Sequence, residues 1–153
     1  MKIRPAVASD VLALVRLNQS VHDMHAASVP EIFRQNPPEK VVADAFSSGL
    51  ESVSSFWLIA EDDEPCGFLS AEFIDRPETW YMVHHRVCYL SCLVVASARR
   101  RRGIARALLA ELKRESSSRG VARIELDAWA FNNEAKRAFV SLGFRTVKER
   151  MAL

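Results

Sequence analysis

The residues best suited to chemistry form one short stretch, LVVASARRRRGIA, over residues 93–105. An apolar, strand-like run leads into a polar loop, and the loop opens a segment with helical periodicity. A helix N-terminus carries unpaired N–H groups and about half a positive charge, so it binds phosphate groups. Gly103 allows a ligand to approach the backbone, Ala105 keeps the first turn free of bulk, and four consecutive arginines add positive charge. The stretch therefore predicts a pyrophosphate site.

The charge of the chain is unevenly distributed. Residues 1–98 contain 7 Lys and Arg against 13 Asp and Glu, a net charge of −6, and residues 99–153 contain 14 against 6, a net charge of +8. This asymmetry favours two ligands of opposite charge, although solvated faces that segregate by chance explain it equally well. Arginine runs also contact nucleic acids. We expect no nucleic-acid partner, because the N-terminal half is acidic and no second stripe of basic and aromatic residues occurs.

A second block of chemistry-bearing residues, N-x-x-A-x-x-x-F-x-x-x-G-F, spans residues 132–144. Together with R-x-x-G-x-A over residues 100–105, it is similar to the signatures Q/R-x-x-G-x-G/A and N-x-x-A-x-x-x-Y-x-x-x-G-F of the GCN5-related N-acetyltransferase (GNAT) family. The run IRPA at residues 3–6, followed by Asp10, resembles the first strand and helix start of that family. The resemblance covers nearly the whole chain.

The resemblance implies an α/β fold with a mixed, twisted, mostly antiparallel sheet, flanking helices and one splayed pair of parallel strands. It implies a single N-acetyltransferase domain over residues 1–153. The splayed strands would be Val87–Val95 and Ala122–Ala130, joined by the helix that begins near Gly103 as a right-handed crossover. The pantetheine arm of acetyl-CoA, the acetyl donor, would enter between them.

The resemblance also implies roles for individual residues. Leu93, Val94 and Val95 would pair with the pantetheine amides. The group from Arg100 to Arg106 would hold the phosphates, and Asn132, Ala135 and Phe139 would flank the arm. The implied cofactor-binding residues are Leu93, Val94, Val95, Arg100, Arg101, Arg102, Gly103, Ile104, Ala105, Arg106, Asn132, Ala135 and Phe139. A free amide near Val94 would stabilise the oxyanion of the tetrahedral intermediate.

The sequence leaves the general base open. A lysine-like amine has a pKa near 10.4, so a base helps to deprotonate it at neutral pH. At the position where the family commonly has a glutamate, six residues before Val95, this chain has Tyr89, and a phenol with an ordinary pKa of about 10 is a poor base. We expect either that Tyr89 orients a water or that the base lies elsewhere. The other candidates are Glu72, Asp75, His84, His85 and Asp127.

The general acid is equally open. The family often has a tyrosine where this chain has Phe139, which cannot donate a proton. A thiol has a pKa of about 8.5, so its thiolate is already a fair leaving group, and Phe139 would then pack against the cofactor. The absence of a familiar acid also leaves room for a protein that binds acyl-CoA without catalysis.

The N-terminal half is expected to form the acceptor site. Its acidic excess favours a small cationic amine, such as a polyamine, an aminosugar or a lysine-like side chain. The alternative is a protein N-terminal or lysine acetyltransferase. The candidate lining residues are His22, His25, Phe33, Trp57, Glu72, Asp75, Trp80, Tyr81 and His84. The spacing of the first two histidines also fits metal binding, but we expect no metal site because no further ligand is evident.

Periodicity and turn residues predict alternating helices and strands. Helices are predicted from Ser9 or Asp10 until Pro30 breaks the pattern, from Pro38–Glu39 to about Ser48, from Gly103 to about Ser118, and from Asn132 or Asn133 to Gly143. Strands are predicted at Lys2–Val7, Phe56–Glu61, Cys66–Ile74, Val87–Val95, Ala122–Ala130 and Phe144–Leu153, the second and third as a hairpin.

Composition constrains the setting of the protein. No apolar run reaches the roughly 18 residues of a membrane helix, so we expect no membrane partner. The first residues, MKIRP, lack the apolar stretch of a signal peptide, and we therefore expect a cytoplasmic location. Cys88 and Cys92 lie too far apart along one strand to form a disulfide. The chain ends in a predicted strand that is free to pair with a second copy, so a homodimer is possible.

Overall fold

The computed structural model describes all residues from Met1 to Leu153. The helices are α1 (Val11–Ser28), α2 (Glu39–Glu51), α3 (Ile104–Ser118) and α4 (Asn133–Ser141). The strands are β1 (Lys2–Pro5), β2 (Ser55–Asp62), β3 (Glu64–Arg76), β4 (His85–Val95) and β5 (Arg123–Glu125). Two single turns of 3₁₀ helix, Ala8–Asp10 and Ser97–Arg99, precede α1 and follow β4.

The five strands form one sheet in the order β1-β2-β3-β4-β5. The first four strands are antiparallel to their neighbours, whereas β4 and β5 are parallel and are joined through α3. The predicted hairpin is β2–β3, and Asp63 turns it with a positive φ of 66°. This mixed sheet with helices between its strands confirms the predicted fold class.

The two faces of the sheet carry separate apolar clusters. On the α3 face, Leu108 and Leu112 of α3 pack against a row that includes Leu69, Cys88 and Leu90. On the α1 face, Leu14 of α1 packs against buried residues of β2, β3 and β4, including Phe68 and Val94. Because side chains alternate between the faces of a strand, these clusters show which face each polar residue occupies.

The start of α1 differs in detail from the prediction of an N-cap at Ser9 or Asp10. Asp10 occupies the N-cap position, but its carboxylate does not cap the helix. It accepts hydrogen bonds from the Val7 N–H at 2.8 Å and from the Arg4 guanidinium at 2.7 and 2.9 Å. Arg4 also pairs with Glu61. The network fastens β1 to α1 and β2, and it provides partners for the buried Asp10 carboxylate.

Strand β4 contains a bulge at Ser91. Ser70 of β3 lies opposite Cys92, and the next residue, Ala71, lies opposite Leu90, so Ser91 has no partner in β3. A bulge bends its strand and turns backbone groups away from the regular ladder. The residues on either side of Ser91 consequently change their alternation, with Leu90 on the α3 face and Cys92 on the α1 face.

Two predicted strands are wrong in extent or existence. The predicted strand Ala122–Ala130 is a strand only at Arg123–Glu125, because the chain parts from β4 after Glu125 and no strand lies on its other side. The predicted strand Phe144–Leu153 is not formed, since residues 145–153 make no backbone hydrogen bond to the sheet and are exposed. None of the helices is both long and apolar enough to cross a membrane.

Candidate active site

The predicted pyrophosphate loop connects the end of β4 to the start of α3. Gly103 precedes the helix with a φ of 80°, a left-handed conformation that favours glycine, and the space that a Cβ would occupy is open. Ile104 is buried and anchors the first turn. The first intrahelical bond runs from the Ala107 N–H to the Gly103 carbonyl. The preceding N–H groups of the first turn therefore have no partner within the helix and suit a phosphate.

The arginines around this loop fall into two groups. Arg99 pairs with Asp62 at 3.1 Å, and Arg100 pairs with Glu134 at 2.9 Å. The remaining arginines of the loop and first helical turn form no ion pair and are exposed: Arg101, Arg102 and Arg106. Free guanidinium groups beside an open helix N-terminus attract phosphate oxygens.

The edge of β4 that faces β5 is unpaired over Leu90–Val95. The pairing of β4 with β5 begins where Val87 lies beside Arg123 and ends where Tyr89 lies beside Glu125. Beyond these residues the two segments diverge. We call the opening between Leu90–Val95 and residues 126–130 the gap. Backbone groups on this edge are available to an extended ligand that carries amides.

The start of α4 lies on the other side of the gap. The Asn132 side chain accepts a hydrogen bond from the Ala135 N–H at 3.1 Å and caps the helix as predicted. The Arg100–Glu134 pair joins this helix start to the pyrophosphate loop. Phe139 packs edge-on against Phe144, with ring centroids 5.9 Å apart. The residues predicted to bind acetyl-CoA thus lie on β4, in the loop and first turn of α3, and at α4.

A row of polar side chains crosses the α1 face of the sheet. Glu72 of β3 lies directly opposite Tyr89 of β4, and Tyr89 lies beside Glu125 of β5. The Tyr89 hydroxyl donates a hydrogen bond to Asp127 Oδ2 at 3.1 Å. We call Glu72, Glu125 and Asp127 the carboxylate row. Burial, followed by the hydrogen bond and charge of Asp127, raises the pKa of the Tyr89 phenol above its usual value.

The other candidates for the base lie away from the gap or have other partners. Asp75 Oδ1 is 2.7 Å from His84 Nε2, beyond Glu72 and Tyr89 along the strands. His85 Nδ1 is hydrogen-bonded to the carbonyl of Val83, two residues earlier in the chain. Within the carboxylate row, Glu125 is paired with Arg123, whereas Glu72 accepts only a long 3.4 Å hydrogen bond from Ser54.

Five of the predicted acceptor residues lie in three separate places. His25 and Phe33 join an aromatic cluster, Trp57 stacks on Phe68 inside the α1-face core, and Trp80 and Tyr81 are exposed on the β3–β4 loop.

The two histidines of α1 are each engaged with the backbone. His22 Nε2 is 2.7 Å from the Arg34 carbonyl oxygen, and His25 Nδ1 is 2.7 Å from the Val21 carbonyl oxygen. No group of three or more His, Cys, Asp or Glu side chains is arranged to hold a metal ion.

Two residues near the site were missed by the sequence analysis, Trp129 and Phe131. Trp129 packs against Phe33 at 5.3 Å and Phe131 against His25 at 5.6 Å, so the cluster connects the end of α1 to the loop before Asn132. The available signal was the pair of aromatic residues directly before the Asn132 motif. The interpretation of residues 122–130 as one regular strand concealed it.

The comparisons with known proteins point to one family. A model of the "Acetyltransferase (GNAT) family" matches residues 18–144. A tetramutant of the BH1408 protein from Bacillus halodurans is 30% identical, with a TM-score of 0.94, and the match covers 100% of this chain and 99% of that chain. No curated protein matches the sequence.

Two further solved structures, both below 25% identity, share the fold. A predicted acetyltransferase with acetyl-CoA from Clostridium acetobutylicum has 23% identity and a TM-score of 0.72, covering 99% of this chain and 94% of that chain. An aminoglycoside N-acetyltransferase, AAC(6')-Iy, in complex with CoA has 18% identity and a TM-score of 0.80, covering 99% and 92%.

The chain belongs to the GNAT acetyltransferase family, because the family model spans most of its length. The predicted family, the N-acetyltransferase class and acetyl-CoA as the donor are confirmed. The residues that bind the donor and the acceptor stay predictions, and they are the subject of the proposals below.

Proposed function

We propose that the chain transfers the acetyl group of acetyl-CoA to the primary amine of a small cationic acceptor. The observation that carries this proposal is the carboxylate row, which crosses the α1 face from β3 to the point where β4 and β5 separate. Carboxylates in that position attract an ammonium group to the end of the gap.

The two ligands enter this arrangement from opposite directions. The pyrophosphate loop lies at the C-terminal end of β4, and the carboxylate row crosses β4 near its middle. From Val95 to Ser91 the strand extends about 13 Å at roughly 3.3 Å per residue. An arm that starts at Gly103 and follows the unpaired edge of β4 therefore brings its thioester towards Ser91, where the bulge leaves backbone groups unpaired.

Support for an amino acceptor also comes from the neighbouring structures. Several are aminoglycoside 6'-N-acetyltransferases, whose acceptors carry several ammonium groups. Their sequence identity to this chain is between 16% and 19%, so the likeness shows the fold and suggests an acceptor class worth testing.

The test is a panel of amines with detection of the free thiol of CoA. The panel contains glycine and glutamate, n-butylamine, 1,5-diaminopentane, spermidine, glucosamine and neamine. We expect kcat/KM to rise with the positive charge of the amine and to fall with added salt, since exposed charges are screened. Faster acetylation of the neutral or acidic members would contradict the proposal.

A second candidate is an acetyltransferase that acts on protein N-termini or lysines. The exposed Trp80 and Tyr81 on the β3–β4 loop favour it, because they offer an apolar surface to a chain. Peptides with a free N-terminus or an internal lysine belong in the same panel. A non-catalytic acyl-CoA-binding protein would bind acetyl-CoA, as seen by a thermal shift, and release no thiol with any member.

We further propose that the protein forms a homodimer. β5 has a strand partner on one edge only, and residues 145–153 carry exposed Val147 and Met151 with no backbone partner. Unpaired strand edges and free segments favour pairing with a second chain. Light scattering after gel filtration should give twice the mass of one chain, and removal of residues 146–153 should give the mass of one. A cytoplasmic location stays a prediction.

A further inference from the structure

The structure contains an acidic side chain at the one point where β4 and β5 begin to separate. Tyr89 and Glu125 form the last paired positions of the two strands, and Asp127 follows two residues later. The Tyr89 hydroxyl reaches across to Asp127 Oδ2 at 3.1 Å. This hydrogen bond lies at the closed end of the gap, two residues from the bulge at Ser91.

Tyr89 is suited to hold this carboxylate in place. Its hydroxyl donates to one oxygen of Asp127, which leaves the other oxygen, Oδ1, free to accept a proton. The raised pKa of Tyr89 keeps the phenol neutral well above pH 7, so the phenol serves as a donor. Because it is half-buried and fixed by strand pairing, it restricts the exposed Asp127 side chain to one side of the gap.

The neighbouring carboxylates are less suited to the same role. Glu72 lies on β3, on the far side of β4 from the gap. Glu125 is neutralised by Arg123, which shares its strand. Asp75 is held by His84 near the start of β4. Asp127 alone among them lies on the chain that lines the gap and is fixed by an uncharged donor.

We propose that Asp127 accepts the proton of the acceptor ammonium and that Tyr89 is its positioning residue. This inference rests on the proposed function. One N–H proton passes to Asp127 Oδ1, and the nitrogen lone pair then forms a bond with the thioester carbonyl carbon. The C–S bond breaks, and its electron pair leaves on the sulfur. The second ammonium proton neutralises the thiolate, and the proton on Asp127 returns to solvent.

The first test replaces the carboxylate. Asp127→Asn keeps the shape of the side chain and removes its basicity. At pH 7 we expect kcat to fall at least a hundredfold, the lower end of a general-base contribution, with the KM for acetyl-CoA unchanged. The loss should shrink about tenfold per pH unit towards pH 10, because the amine then arrives neutral. Asp44→Asn, an exposed carboxylate paired with Lys40 on α2, is the matched control and should match the wild type.

The second test separates positioning from general structure. Tyr89→Phe should lower kcat about tenfold in the wild-type background and should change it little in the Asp127→Asn background, since the hydroxyl acts through the carboxylate. Equal effects in both backgrounds would show that Tyr89 is only structural. Asp127→Glu should recover part of the lost kcat.

The outcomes distinguish this inference from the proposed function. If the wild type acetylates no amine of the panel, the proposed function fails. If the wild type is active and Asp127→Asn retains kcat within threefold at pH 7, the inference alone is overturned. Binding of acetyl-CoA by each variant, measured by thermal shift, establishes that the variants are folded.

Discussion

The cofactor side and the acceptor side of this site are built in different ways. The cofactor side consists largely of backbone: the helix start at Gly103, the unpaired edge of β4 and the capped start of α4. The acceptor side consists of side chains on one face of three strands, with Tyr89 among three carboxylates. Backbone geometry persists when side chains change, so a family keeps its donor and varies its acceptor. Substitutions should therefore affect the two ligands separately.

Among substitutions that change the binding of one ligand, the largest expected effect is on the cofactor side. Gly103 has a φ of 80°, and a residue with a side chain is strained there by roughly 1–2 kcal/mol. Gly103→Val should raise the KM for acetyl-CoA at least tenfold, because strain and side-chain bulk both act where the phosphates bind. Gly120→Val is the matched control, with a similar φ of 68° at the far end of α3. It should lower the melting temperature and leave acetyl-CoA binding intact, and an equal effect of both variants on KM would break the comparison.

A smaller effect is expected at the start of α4. Asn132→Ala removes the hydrogen bond to the Ala135 N–H, and the loss of such a cap costs about 1 kcal/mol. We expect the KM for acetyl-CoA to rise about fivefold and the KM for the amine to stay the same. Isothermal titration with acetyl-CoA provides an independent measurement. Asn132→Asp should restore most of the affinity, because aspartate also caps helices.

A substitution on the acceptor side should change the KM for the amine and not the KM for acetyl-CoA. Glu72→Gln removes one charge of the carboxylate row without changing its shape. For a cationic amine we expect about a threefold rise in KM, the scale of an exposed charge pair, with the KM for acetyl-CoA unchanged. The substitution should lower the initial rate with 1,5-diaminopentane more than the initial rate with glycine, since only the cation loses an attraction. If the KM for acetyl-CoA moves instead, the two sides are not separate.

The smallest effect is expected from the exposed arginines. Arg102→Gln removes a guanidinium that no carboxylate pairs with, and its attraction to phosphate is screened by solvent. We expect acetyl-CoA to bind two- to threefold more weakly at 20 mM salt, on the order of 0.5 kcal/mol, and the difference should vanish at 0.5 M. A difference that is independent of salt would indicate a direct hydrogen bond to phosphate.

The contrast between the two sides also explains which features of the site could be predicted from the sequence and which could not. Gly103 and Asn132 both mark the start of a helix, which is a local signal, and both helices begin where they were predicted. The Tyr89–Asp127 contact joins residues 38 positions apart and depends on the register of a parallel pair. No periodicity within either segment specifies that register.

Two of the strand predictions failed for a related reason. The sequence predicts strands at residues 122–130 and 144–153, but a strand also needs a neighbour, and the local sequence does not reveal whether one exists. β5 is three residues long because β4 departs from it, and residues 145–153 find no partner in the same chain. The aromatic pair Trp129 and Phe131 was overlooked because a regular strand was assumed there.

The short β4–β5 pairing has a consequence for the order of folding. β2, β3 and β4 are consecutive antiparallel neighbours and need only short loops to meet, whereas β5 joins after α3 has crossed back and adds three residue pairs. Long-range pairings of this kind form late and open early. Amide protons of Arg123–Glu125 should therefore exchange with solvent sooner than those of the β2–β3 hairpin. Acetyl-CoA would contact both walls of the gap and should therefore slow that exchange. The bound cofactor would join the two parts of the sheet that no strand pairing connects.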